Sequence, residues 1–182
     1  MNRIKDISFL SGTFLPALDS LILTRNPISI IPPSFFESLP NLRDFSLNKA
    51  NLQDLTDARI TAQRISVSEN DIWRFGRDAF ARPHEVRAIV CDRCAFRHLP
   101  YMGNLTALQV ITLQNNRIAT IDDAAFASFQ SIETLDLTGN KITQVSSFRN
   151  LPTLRRLDLT ENVISTFPLT PSRIFLNLKF SI

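Results

Sequence analysis

Glycine is scarce in this chain, with 4 in 182 residues against 10 prolines. So few glycines leave little room for loops that cradle phosphates. Two cysteines and two histidines supply almost nothing from which to build a metal site, and the same count excludes a disulfide-stapled mini-fold. One Trp and one Tyr stand against 14 Phe. Charge of one sign is also missing. The 20 Lys and Arg and 17 Asp and Glu are mixed along the chain and leave a formal charge of +3, which gives no support to a nucleic-acid partner. No stretch approaches the roughly 18 consecutive apolar residues of a membrane helix, so no membrane insertion is expected within this chain. The first ten residues alternate polar and apolar without the apolar core of a signal peptide. Catalytic motifs are absent too: there is no H-E-x-x-H, no G-x-S-x-G and no phosphate loop. The expectation is a non-enzyme with no catalytic, cofactor-binding or metal residue. Hydrophobic residues at 44% and charged residues at 20% are an ordinary globular balance and argue against wholesale disorder.

What is present is a repeat. Leu108, Ile111, Leu113, Asn116, Ile118 and Ile121 fall at offsets 1, 4, 6, 9, 11 and 14 of a unit. The same offsets recur from Ile132 through Leu135, Leu137, Asn140, Ile142 and Val145, and from Leu154 through Leu157, Leu159, Asn162, Ile164 and Phe167. Upstream they give Leu18, Leu21, Leu23, Asn26, Ile28 and Ile31. Copies beginning at Leu42, Ala62 and Val86 fit with Ala50, Asn70 and Cys94 in the ninth place. Seven full copies therefore start at residues 18, 42, 62, 86, 108, 132 and 154.

The pattern L-x-x-L-x-L-x-x-N/C-x-L resembles the leucine-rich repeat family. The resemblance implies one domain over residues 1–182, an α/β-type solenoid. Short parallel strands would line its concave face, and irregular or short helical segments its convex face. The alternation at offsets 1 to 7 reads as the strand. At the ninth place an inward Asn can supply donors and an acceptor to buried backbone groups. Asn26, Asn70, Cys94, Asn116, Asn140 and Asn162 would form a structural ladder. It is interrupted at Ala50, where Asn48 or Asn51 would substitute only in part. Phe36, Phe80 and Phe126 stand at offset 19 of 24-residue copies, with Phe148 shifted in a shorter one. They read as wedge fillers between strand and convex side. The 24-residue form with that Phe resembles the repeats of extracellular animal members of the family.

Both ends read as cut repeats. Asn2, Ile4 and Ile7 suit offsets 9, 11 and 14 of a copy that precedes Leu18, so residues 1–17 are a partial repeat. Ile174, Leu176, Leu178, Phe180 and Ile182 alternate like the strand of a further partial copy over about 173–182. No polar cap is evident at either end. The expectation is a piece of a longer repeat protein, able to associate end to end through uncapped faces.

Cys91 and Cys94 form a C-x-x-C, but both occupy inward offsets, 6 and 9, which favours packing over redox or zinc chemistry. His84 and His98 have no nucleophile beside them. Trp73 lies off the strand, half exposed or packed. Asn104-Leu105-Thr106 matches an N-glycosylation sequon on the return side of the repeat, compatible with secretion without arguing for it.

A solenoid binds through its extended concave surface. Read by offset, that face runs from mildly basic in the first four copies to mildly acidic in the sixth and seventh. Between lie Ala88, Val90, Val110 and Thr112. An interface centre at Ala88, Val90 and Val110, rimmed by Arg64, Arg87 and Arg93, is the expected site for a protein ligand. The resemblance implies a protein-binding module from an extracellular or cell-surface receptor, adhesion or matrix protein. An intracellular scaffold is the alternative, and the recognition segment of a larger enzyme a third reading.

Overall fold

The computed structural model describes residues 2–101, 104–121, 126, 129–144 and 151–165. Seven strands, β1 (Ser20–Ile22), β2 (Asp44–Ser46), β3 (Arg64–Ser66), β4 (Ala88–Val90), β5 (Val110–Thr112), β6 (Thr134–Asp136) and β7 (Arg156–Asp158), form one parallel sheet in sequence order. Each strand occupies offsets 3 to 5 of its repeat. The connections cross the convex side as irregular chain with single 3-10 turns at Phe35–Ser38 and Pro83–Glu85. Phe148, Val145, Phe167 and the alternating segment 174–182 lie outside the described residues.

The strands are shorter than the alternation at offsets 1 to 7 predicts, and the backbone gives the reason. Offset 8 is left-handed in all seven repeats, at Arg25, Lys49, Glu69, Arg93, Asn115, Gly139 and Glu161, with φ between 52° and 69°. A left-handed non-glycine residue costs on the order of 1–2 kcal/mol. Here the turn aims the offset-8 N–H at the offset-7 carbonyl of the next repeat. Arg25 donates to Asn48 at 2.8 Å, Glu69 to Asp92 at 2.8 Å and Arg93 to Gln114 at 2.7 Å. The inter-repeat bond holds the conformation that ends the strand.

The core is the stack of inward offsets. Phe45, Ile65, Ile89, Ile111, Leu135 and Leu157 at offset 4 are buried, as are Leu47, Val67, Cys91, Leu113, Leu137 and Leu159 at offset 6. Phe36, Phe80 and Phe126 are buried at offset 19. Phe36 stands edge-on to Phe35 and to the strand residue Phe45, with centroids 5.0 and 5.1 Å apart. This is the wedge expected of an aromatic there. The 20-residue second copy draws its convex backbone so close to the third that a Cβ on Gly76 would lie 2.4 Å from Thr56 Cα.

Buried polarity is carried by the asparagines. Asn140 Nδ2 donates to Leu113 O and Leu137 O at 2.9 Å each, while its Oδ1 accepts Ile118 N at 3.0 Å. Asn116 and Asn162 repeat that scheme one turn away. Consecutive rungs share carbonyls: Leu113 O is served by both Asn116 and Asn140. At Ala50 the rung is missing. Asn48 does not substitute inward. It bonds Ser46, Ser66 and Ser68 on the concave side, and Asn51 is exposed. The Ile28 N–H turns instead to the Asn26 backbone carbonyl at 2.8 Å. At the fourth repeat the Cys94 thiol stands 3.5 Å from Val67 O, in the place of an amide.

Candidate protein-binding face

The register settles which concave side chains are neighbours. Arg64, Ala88 and Val110 lie side by side in one row, and Ser66, Val90 and Thr112 in the next. Ile65, Ile89 and Ile111 between them point into the core. Ala88, Val90, Val110 and Thr112 are each half-buried and make one contiguous patch across β4 and β5.

The charges around that patch are mostly committed to each other. Arg64 holds both carboxylate oxygens of Asp44 at 2.5 Å. That donation is the main reason the Asp44 carboxyl titrates below its ordinary value. Glu69 takes Lys49 at 3.0 Å on one oxygen and Arg93 at 4.0 Å on the other. At the acidic end Glu133 meets Arg155 at 3.9 Å and Asp158 meets Arg156 at 3.4 Å. The basic-to-acidic gradient read from residue types is thus compensated in part; Arg25 and Arg43 at the basic end and Glu161 at the acidic end make no ion pair among the described residues. Arg87 is exposed and, among the described residues, makes no ion pair.

A second polar ladder runs along this face at offset 7. Thr24 Oγ1 accepts Asn48 N at 3.3 Å, Asn48 Oδ1 accepts Ser68 N at 2.6 Å, Ser68 Oγ accepts Asp92 N at 3.0 Å, and Asp92 Oδ1 accepts Gln114 N at 2.8 Å. Gln114 then donates to Asp136 Oδ2 at 2.7 Å. Burial pushes the Asp92 carboxyl above its ordinary pKa, and the Asp136 charge adds to the rise; the Gln114 N–H opposes both. The ladder's acceptors are Thr24, Asn48, Ser68 and Asp92; beyond Gln114 the Thr138 and Thr160 N–H groups turn to Asp136 and Asp158 of their own repeats. Sequence reading missed the ladder because partners in different repeats are not visible along the chain.

Cys91 and Cys94 are buried and unbridged. Burial pushes the Cys91 thiol well up, which disfavours the thiolate that redox or metal chemistry needs. His84 and His98 are exposed; His98 Nδ1 lies 3.0 Å from Thr120 Oγ1. Asn104 is exposed beside the buried Leu105. Among the described residues no helix is long and apolar enough to cross a membrane.

The family model described as "Leucine rich repeat" matches residues 106–168. The fifth and sixth repeats, where the ladder is complete, lie within that match. The chain is a leucine-rich repeat protein. Leucine-rich repeat-containing G-protein coupled receptor 5 of Rattus norvegicus is 28% identical over 162 residues, covering 86% of this chain and 18% of the receptor. Epiphycan of Homo sapiens is 30% identical over 152 residues, covering 78% of this chain and 46% of epiphycan. This leucine-rich repeat chain thus spans less than half the length of either relative. A chain from the crystal structure of the TLR13–ssRNA13 complex superposes with a TM-score of 0.75 over 85% of this chain and 23% of that one, at 24% identity. That likeness bears on the fold alone. For this repeat chain the geometry offers a half-buried apolar strip on two adjacent strands, bordered by charges most of which are ion-paired.

Proposed function

We propose that this chain is a protein-binding module of an extracellular or cell-surface protein, and that its ligand docks on the concave face over Ala88, Val90 and Val110. The observation that carries the reading is the contiguous apolar patch on two in-register strands in the middle of the sheet. Interface centres are apolar and depleted of charge, with polar rims. Arg87 and Thr112 border the patch, and Arg64 and Arg93 reach it already paired, so their contribution is orientation more than attraction. Its relatives support the compartment: epiphycan, Tsukushi and leucine-rich repeat-containing G-protein coupled receptor 5 are extracellular or cell-surface proteins. Most carboxylates of this face are engaged in ladder bonds and ion pairs, which supports binding over catalysis.

The test is a screen of the chain against an array of secreted proteins and receptor ectodomains. A binder of the wild type is expected to lose about a hundredfold in affinity to the Val90→Lys, Val110→Lys double variant, as loss of two central contacts implies. The thermal melt should stay within a few degrees. Equal binding by both proteins would remove this patch from the interface.

A further inference from the structure

A second surface lies on the edge of the solenoid, where the chain leaves the ladder position and heads for the convex side. The edge backbone is pinned from repeat to repeat: Trp73 N donates to Gln53 O at 3.2 Å, Ala95 N to Ile72 O at 2.8 Å and Arg117 N to Phe96 O at 2.9 Å. Between the third and fifth repeats this edge opens into a cleft of about 660 Å³. That size falls within the roughly 300–1,000 Å³ of ligand pockets. Its floor is Phe75, Ala95, Leu99 and Pro100.

The walls hold the chain's single Trp and single Tyr. Trp73 is 54% exposed and Tyr101 is 70% exposed, although an apolar floor lies between them. Arg74 stacks on the Trp73 ring at 4.6 Å while reaching Asp54 at 3.6 Å. Arg97 and Arg117 also line the cleft, are exposed, and make no ion pair among the described residues. Asp71 is the one carboxylate in the lining. The contrast with the concave face is direct. There each arginine beside the patch except Arg87 has an acidic partner; here two arginines point into a cleft without one.

We propose that this cleft is a second docking site, for an acidic linear peptide segment that carries an aromatic anchor. Guanidinium groups pair with carboxylates through two parallel hydrogen bonds. Trp and Tyr faces take an aromatic ring in offset or edge-on contact. An extended strand of nucleic acid would need a basic track continuing along the edge. Past Arg117 the edge row adds only Lys141 before the uncharged Val163, and on its other side it meets Asp71 and Asp54, so the basic run is short and interrupted. The concave-face reading is not needed for this site.

Trp73 reports binding directly, being the one tryptophan of the chain. The wild-type chain is titrated with a short peptide of alternating Asp and Glu around a central Phe. A charge-reversed Lys peptide with the same Phe and an oligothymidylate of equal length serve as competitors for the reading. The acidic peptide is expected to change Trp73 emission saturably. The Arg97→Ala, Arg117→Ala double variant, altered only at exposed side chains, should weaken it about tenfold, and the Val90→Lys, Val110→Lys variant should bind as the wild type does. No saturable change with the acidic peptide overturns the proposal. So does an equal response to the Lys peptide, tighter binding of the oligothymidylate, or an unweakened arginine double variant.

Discussion

The inner and outer polar ladders run side by side, two residues apart in the repeat, and follow opposite rules. The inner one uses asparagine wherever it is complete. A side chain there must both accept from backbone N–H and donate to backbone carbonyls with no water to help, and the amide is the side chain that does both. The outer one is Thr24, Asn48, Ser68 and Asp92, ending on the Gln114 N–H. Its members need supply only an acceptor to a neighbouring N–H, and solvent is near enough to stand in. Burial, not position in the repeat, decides how narrow the choice of residue is.

Breaking the inner ladder should cost most, and unequally. Asn70 serves Leu47 O, and its Oδ1 takes both Ala50 N and Leu52 N. Ala50 cannot act as a second donor to its own turn, so Asn70→Ala strands three groups and should cost about 4 kcal/mol in urea denaturation. Asn140→Ala leaves Leu113 O with Asn116 and Leu137 O with Asn162. About 2 kcal/mol is expected there, mainly for the lost bonds and the Ile118 N–H. Equal losses at the two sites would break the idea that shared carbonyls protect the ladder.

The outer ladder gives a smaller, pH-dependent effect. Asp92 has a raised pKa in the folded chain, principally through burial. Its protonated form is therefore favoured by folding. Stability tied to it is fully present below the unfolded value and is lost as pH rises through the folded one. Asp92→Asn keeps an acceptor for Gln114 N and removes the ionisation. The variant should gain on the wild type as pH climbs through the window just above 3.8, and the two should converge below it. A stability difference that does not vary with pH across that window would show that Asp92 is not strained by its charge. The mildest change is Ser68→Ala. It removes one acceptor at 3.0 Å from Asp92 N, in a half-buried place where water can substitute, and should cost less than about 1 kcal/mol.

Much of the architecture was legible because the repeat writes it seven times. Leu, Ile and Phe at offsets 4, 6 and 11 announce the core, and Phe36, Phe80 and Phe126 announce the wedge. Both are local patterns enforced by burial. The gap at Ala50 was legible as a gap, yet its repair was not: the Ile28 N–H bends to its own chain, a choice no residue label records. Strand length was overread, because the alternation continues past offset 5 while the left-handed residue at offset 8 turns the backbone away. On the concave face the residues Ala88, Val90 and Val110 could be named in advance. Their rim could not be assessed, since the Asp44–Arg64 and Lys49–Glu69–Arg93 contacts join residues 20 or more positions apart.

The sequence by itself determined the solenoid, its inward face and the ladder, because each repeat must bury the same offsets against its neighbours. Only the tertiary structure decided which charges cancel and which stay free. That depends on the lateral register between repeats of 20, 22 and 24 residues. It sets Arg64 against Asp44 on the concave face and leaves Arg97 and Arg117 facing an open cleft on the edge.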